Sequence, residues 1–284
     1  MSNHVRVDPA TIPVAVSLAR IKCIEQEDSE FILDTEDDEP YILVITVNGQ
    51  GIQTIGNNTI PRVAARLFRI GPIQDFDKDD IKPAPPNVLW GLNGSPDPIP
   101  TMDRVFFLVA LLENDSADPR DVENRVVSVQ AALPGLASVA FARNDLDERG
   151  RFELFASMAR EAMDGTVSLA RLAIPVPDHD DQIGPVQVLR FSEQEQQQAL
   201  NHSVPAVERT LRFEGDDAIY ELTFRLLGNK AFRPGSTVTA LSLAQGATSL
   251  YVVGLDEGMG GGRVWTKFFP DPNNPNQWTG WSPF

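Results

Sequence analysis

The chain has 284 residues, 42% hydrophobic and 23% charged, a composition ordinary for a globular protein of one large or two modest domains. Its 24 Lys and Arg against 40 Asp and Glu give a formal net charge of -16. Such a field repels phosphate backbones and anionic lipid unless a cation intervenes, which argues against nucleic-acid binding. One cysteine, Cys23, excludes an internal disulfide framework.

The first strand is expected over Val14 to Ile24, with Cys23 as a small core residue. The acidic stretch Glu25 to Glu39 separates it from a second strand, Tyr41 to Val47. Pro61 to Ile70 fits either a strand or a short helix. Asp75 to Pro100 is acidic and then proline-rich, which is loop chemistry, and Trp90 is expected to pin that loop to the core. Val105 to Leu112, eight apolar residues, has the length of a buried strand and falls short of the ~18 residues of a membrane span.

Helical signals follow. Asp118 reads as an N-cap with Pro119 at the first helical position, Val122, Val126, Val129 and Leu133 fall at helical spacing, and Pro134-Gly135 is expected to end the run. A second helix is expected from about Arg151 to Met163, stopped by Gly165. Strands return at Val186 to Phe191, Arg209 to Phe213 and Ile219 to Leu227, with Ser192 to Leu200 as a solvated helical turn. A junction is expected near Gly228 to Gly235.

The C-terminal segment has a different grain. Ser236 to Ser242, Ser249-Leu-Tyr-Val-Val-Gly-Leu-Asp256, Arg263-Val-Trp-Thr-Lys-Phe-Phe269 and a short strand around Trp278 and Trp281 make four strands in about fifty residues, the size of one propeller blade. Gly258-Met-Gly-Gly-Gly262 reads as a flexible hairpin tip. This wording resembles a blade of the tectonin-type and fucose-binding lectin propellers. The resemblance implies sugar contact through Arg263, Trp265 and Trp281; the plainer reading is that these aromatics pack between strands. A single blade cannot close a ring, so the sequence implies either a piece of a larger protein or self-association.

Three carboxylate-rich segments flank strands: Asp34-Thr-Glu-Asp-Asp-Glu-Pro-Tyr41, Glu113-Asn-Asp-Ser-Ala-Asp118 and Asp178-His-Asp-Asp-Gln-Ile-Gly184. Carboxylates from separate loops at one sheet end can converge on a hard cation wanting six to eight oxygens. The pattern resembles the C2 fold, the calcium- and lipid-binding module of synaptotagmins and protein kinase C, over roughly residues 14 to 227. That likeness implies a Ca²⁺ site built from Asp34, Asp37, Asp38, Glu113, Asp115 and Asp180. Two departures stand out: Glu replaces Asp at position 113, and about sixty residues separate Asp115 from Asp180. The competing reading is that these loops are solvated tips of an acidic protein.

No Gly-x-Ser-x-Gly elbow, Walker loop, dinucleotide fingerprint or His-Glu-x-x-His is present, and His179, alone among carboxylates, lacks an identifiable nucleophile. The expected fold is therefore mainly β: a C2-like sandwich over residues 1–228 with a helical insertion at about 118–165, then a single four-stranded propeller-like unit over 229–284. The expected function is non-catalytic binding, with a glycan such as fucose at the C-terminal unit and the sandwich as a calcium-dependent adaptor. Rival readings are a pure assembly protein, whose lone blade self-associates, and an enzyme with its site on the helical insertion. Met1 to Asp8 lacks the apolar core of a secretory signal, so the expected compartment is the cytoplasm, with non-classical export as the alternative.

Overall fold

The computed structural model describes residues 14–25, 39–55, 58–74, 76–85, 87–90, 99–114, 119–172, 182–200, 206–215 and 218–228; the backbone alone is described at 55, 58, 169–172, 239–240, 249–255, 262–268 and 282–283. Among the described residues the protein is mainly β, built from antiparallel sheets with three helices. Its first strands are β1 (Val14–Glu25), β2 (Pro40–Ile55), β3 (Asn58–Ile70) and β4 (Ile81–Pro83). A 3-10 turn, Met102–Arg104, leads into β5 (Val105–Glu113). Helices α1 (Pro119–Phe141) and α2 (Glu148–Leu172) follow, then β6 (Gln187–Leu189), α3 (Glu193–Leu200), β7 (Val207–Glu214) and β8 (Ile219–Gly228).

Strand periodicity explains the layering. In β1 the buried residues are Val14, Val16 and Leu18, then Ile21 and Cys23, so the alternation slips by one residue. A register shift between Leu18 and Arg20 against β8 produces the slip, because a bulge moves every later side chain to the other face. Asn87 clamps this irregularity: its Oδ1 accepts from Leu18 N–H at 2.8 Å and its Nδ2 donates to Leu18 O at 2.8 Å. The loop carrying it is pinned by Trp90, buried as expected.

One sheet has the order β4-β1-β8-β7 and the other β3-β2-β5-β6. In β5 the odd residues Val105, Phe107, Val109 and Leu111 join a core shared with the first sheet. The even residues Phe106, Leu108, Ala110 and Leu112 join a second core with α1 and α2. Burial on both faces is why this strand reads as an uninterrupted apolar run. Pro61–Ile70 settles as a strand, part of β3, paired antiparallel with β2 from Ile42↔Ile70 to Ile55↔Asn58.

Both helices outrun their expected ends. Pro134-Gly135 does not stop α1, which continues to Phe141, and Gly165 does not stop α2, which continues to Leu172. Proline inside a helix forfeits one main-chain bond, at a cost of about 3 kcal/mol. Leu133, Ala137, Ala140 and Phe141 continue the buried stripe past it, and the apolar surface they remove from water outweighs that cost. Met163 and Val167 do the same on either side of Gly165. The expected cap, Asp118, lies outside the described residues. Ser192 to Leu200 is more than a solvated turn: Gln196, Ala199 and Leu200 of α3 are buried.

The C-terminal strands are β9 (Thr239–Ala240), β10 (Ser249–Leu255), β11 (Gly262–Phe268) and β12 (Ser282–Pro283). They form a sheet of their own in the order β12-β11-β10-β9, an antiparallel meander. The expected junction near residues 228–235 falls mostly outside the described residues. Among the described residues, no helix is long and apolar enough to cross a membrane.

Candidate functional sites

The three acidic segments lead to one end of the central sheet. Pro40 pairs with Glu113 across β2 and β5. Asn114 N–H donates to Glu39 O at 3.2 Å, and its Nδ2 donates to Glu39 Oε2 at 3.0 Å. Gln182 bridges Leu112, and Ile183 N–H donates to Leu111 O at 2.9 Å. Helix α2 closes the corner, with Asp164 Oδ1 accepting from Gln182 Nε2 and Val186 N–H at 2.9 and 2.8 Å. Asn114 Oδ1 is buried there without a hydrogen-bond partner among the described residues.

Of the six expected metal ligands, Glu113 lies at the end of β5, while Asp34, Asp37, Asp38, Asp115 and Asp180 lie outside the described residues. The structure thus brings together the residues flanking those carboxylates, and among the described residues no group of three or more His, Cys, Asp or Glu stands close enough to hold a metal ion. Gly184, which ends the third acidic segment, has a physical reason to be glycine. Its φ is +68°, and a Cβ there would come within 2.8 Å of Glu214 O.

At the other end of β5 lies a cleft that nothing in the linear sequence singles out. It has a volume of about 860 Å³ between the 3-10 turn, one face of α2 and the segment after β6. Five arginines line it (Arg104, Arg149, Arg160, Arg190 and Arg209) against three carboxylates, Asp103, Glu148 and Glu153. Arg149, Glu153, Ala156 and Arg160 share the helix face turned to it, at spacings of four, seven and eleven residues.

Local structure holds three of the arginines in place. Arg104 is ion-paired with Glu148. Arg190 follows β6 directly, which sets its guanidinium 5.5 Å from the Phe106 ring centroid and 5.9 Å from that of Phe152. Its Nη1 donates to Glu153 Oε1 at 2.5 Å and its Nη2 to Phe152 O at 3.4 Å, while Nε is buried with no partner among the described residues. Arg209 meets Glu195 with two bonds, 2.8 and 3.0 Å.

Glu195 is itself fixed by a reciprocal cap at the start of α3. Ser192 N–H and Oγ donate to its carboxylate at 2.7 and 2.8 Å, and Glu195 N–H donates to Ser192 Oγ at 3.3 Å. Burial pushes the Glu195 carboxyl up, but the bonds from Arg209 and Ser192 outweigh it and hold the group below the usual glutamate range. The same bond raises the Arg209 guanidinium above its ordinary value. Among the described residues, no histidine or cysteine lines the cleft. Its chemistry is that of fixed cationic donors over an apolar floor.

In the C-terminal sheet, Arg263 and Trp265 stand two residues apart in the inner strand β11, opposite Gly254 and Val252 of β10. Trp265 also pairs with Pro283 of β12. Trp281, one residue before that strand, lies outside the described residues. No protein-family model, no curated protein and no solved structure matches the chain.

Proposed function

We propose that the chain is a non-catalytic binding protein whose C-terminal sheet contacts a glycan. The observation that carries this reading is the four-stranded antiparallel meander itself, with Arg263 and Trp265 at alternate positions of an inner strand. Period-two spacing gives two such residues a common face. An indole stacks on the apolar face of a sugar ring, and a planar guanidinium bridges neighbouring hydroxyls. Trp281, beside β12, completes the set. On this reading the terminal sheet is a blade-like lectin unit, and the two larger sheets form a C2-like sandwich carrying a helical layer.

One unit alone offers half of a site formed between neighbouring blades, so monovalent affinity is expected at millimolar level, made useful by multimerisation or surface display. Saturation-transfer NMR with fucose and a panel of monosaccharides tests it. Transfer to at least one sugar, lost in Trp281→Ala, supports the reading; transfer to none, or transfer indifferent to the substitution, leaves Trp281 as packing.

A second reading is favoured by the convergence of Glu39, Asn114 and Gln182 at one sheet end. It makes the sandwich a calcium-dependent adaptor, with Asp34, Asp37, Asp38, Glu113, Asp115 and Asp180 as ligands. Ca²⁺ at about 100 times its Kd would then stabilise the fold by roughly 2.7 kcal/mol, read as a rise in melting temperature. Calorimetry without Ca²⁺ heat at millimolar concentration would end this reading.

A further inference from the structure

We propose that the arginine-lined cleft at the start of β5 binds an organic anion, a carboxylate carried on an apolar body, independently of any glycan at the C-terminal sheet. Charge is the first argument. A protein of net charge -16 gathers five arginines around one cleft, against the lining carboxylates Asp103, Glu148 and Glu153 and against Glu195, which is bonded to Arg209. Such a site concentrates anions that the rest of the surface repels.

Pre-organisation is the second argument. Glu148, Glu153 and Glu195 tether Arg104, Arg190 and Arg209 by ion pairs, so little side-chain freedom remains to be lost on binding. Arg190 is the focal group. It lies over two phenylalanine rings, and its buried Nε–H has no acceptor among the described residues. A buried donor left unpaired is costly, and a ligand oxygen that met Nε–H after a small shift of the side chain would relieve that cost. Arg149 and Arg160, both exposed on the α2 face, add charge that no carboxylate holds closer than the 3.9 Å between Arg160 and Glu161 among the described residues.

Size and lining set the ligand class. A volume of about 860 Å³ falls in the range of sites for small organic molecules and far exceeds an inorganic ion. Phe152, Ala156, Val188 and Phe191 supply an apolar floor that a bare phosphate would leave wet. An aryl or alkyl carboxylate satisfies both parts of the cleft.

Calorimetry on the full chain at low ionic strength tests this with three probes: 2-naphthoate, its uncharged amide and inorganic phosphate. The expected result is saturable binding of naphthoate, with the amide and phosphate each at least about tenfold weaker, as loss of a charge-assisted bond implies. Arg149→Ala with Arg160→Ala, two changes on an exposed helix face, should weaken naphthoate about tenfold while leaving the melting temperature in place. Glu153→Gln leaves Arg190 a side-chain acceptor while removing a negative charge from the cleft, and should tighten naphthoate without tightening its uncharged amide. No saturable heat with naphthoate, equal binding of the amide, or indifference to the double arginine substitution would overturn the proposal.

Discussion

The two ends of β5 are built from opposite charges by different means. At its C-terminal end, Glu113 pairs with Pro40, Asn114 is bonded to Glu39 and Leu112 bridges Gln182, bringing together the flanks of acidic runs contiguous in sequence. At its N-terminal end, roughly 27 Å away at 3.4 Å per residue, the arginines of the cleft come from the 3-10 turn, α2, the end of β6 and β7. The acidic end joins the flanks of three whole runs where β2 pairs with β5, with Asp164 of α2 closing the corner. The basic end gathers single arginines from four segments, with Arg190 laid over Phe106 and Phe152. Disturbing the packing should therefore damage the second far more than the first.

Phe152→Ala is the strongest way to break the comparison. Phe152 is buried against Phe106, Phe141 and Phe155 with edge-to-face geometry, and it forms the shelf under Arg190. Truncation should cost about 3 to 5 kcal/mol in denaturant unfolding, with the acidic-end bond between Asn114 and Glu39 retaining its native amide chemical shifts. Equal disturbance of both ends would show that the two are not separately built.

Glu195→Ala sharpens the basic end with a smaller effect, about 1 to 2 kcal/mol, from loss of the cap at α3 and of the Arg209 pair. The pH dependence has a definite sign. The folded carboxyl titrates below the ordinary 4.5, so its stabilisation is fully present above that pH and is lost as pH falls through the lower folded value. The gap between wild type and variant should be constant near neutrality and close in acid; a gap that widens in acid would contradict the assignment. At the acidic end, Asn114→Ala removes one side-chain bond to Glu39 and should cost only about 0.5 to 1.5 kcal/mol.

Much of the fold was readable from residue patterns because alternation and continuous apolar runs report burial directly. The eight apolar residues from Val105, the position of Trp90 and the C-terminal strands β9, β10 and β11 are cases in point, whereas the strand expected around Trp278 and Trp281 lies outside the described residues. The helix ends were not readable, because Pro134 and Gly165 carry local signals that burial of Phe141 and Val167 overrides. The strand β4 escaped notice for another reason: three residues on a sheet edge, one of them Pro83, are too short to show alternation. The acidic end was visible as three runs of carboxylates. The cleft was invisible, since arginines spread from position 104 to 209 look like ordinary surface charge until β6 sets Arg190 beside Phe106 and α2 turns Arg149 and Arg160 to the same side.

On the proposed reading this protein acts by recognition, with sugar at its C-terminal sheet. Binding of the intact chain to a multivalent glycan array, with and without chelator and beside Trp281→Ala, tests it most directly. Retention is expected on a defined subset of glycans and is abolished by the substitution, with chelator reducing it only where Ca²⁺ orders the sandwich. Retention on no glycan despite multivalent display, or retention unchanged in Trp281→Ala, would contradict it.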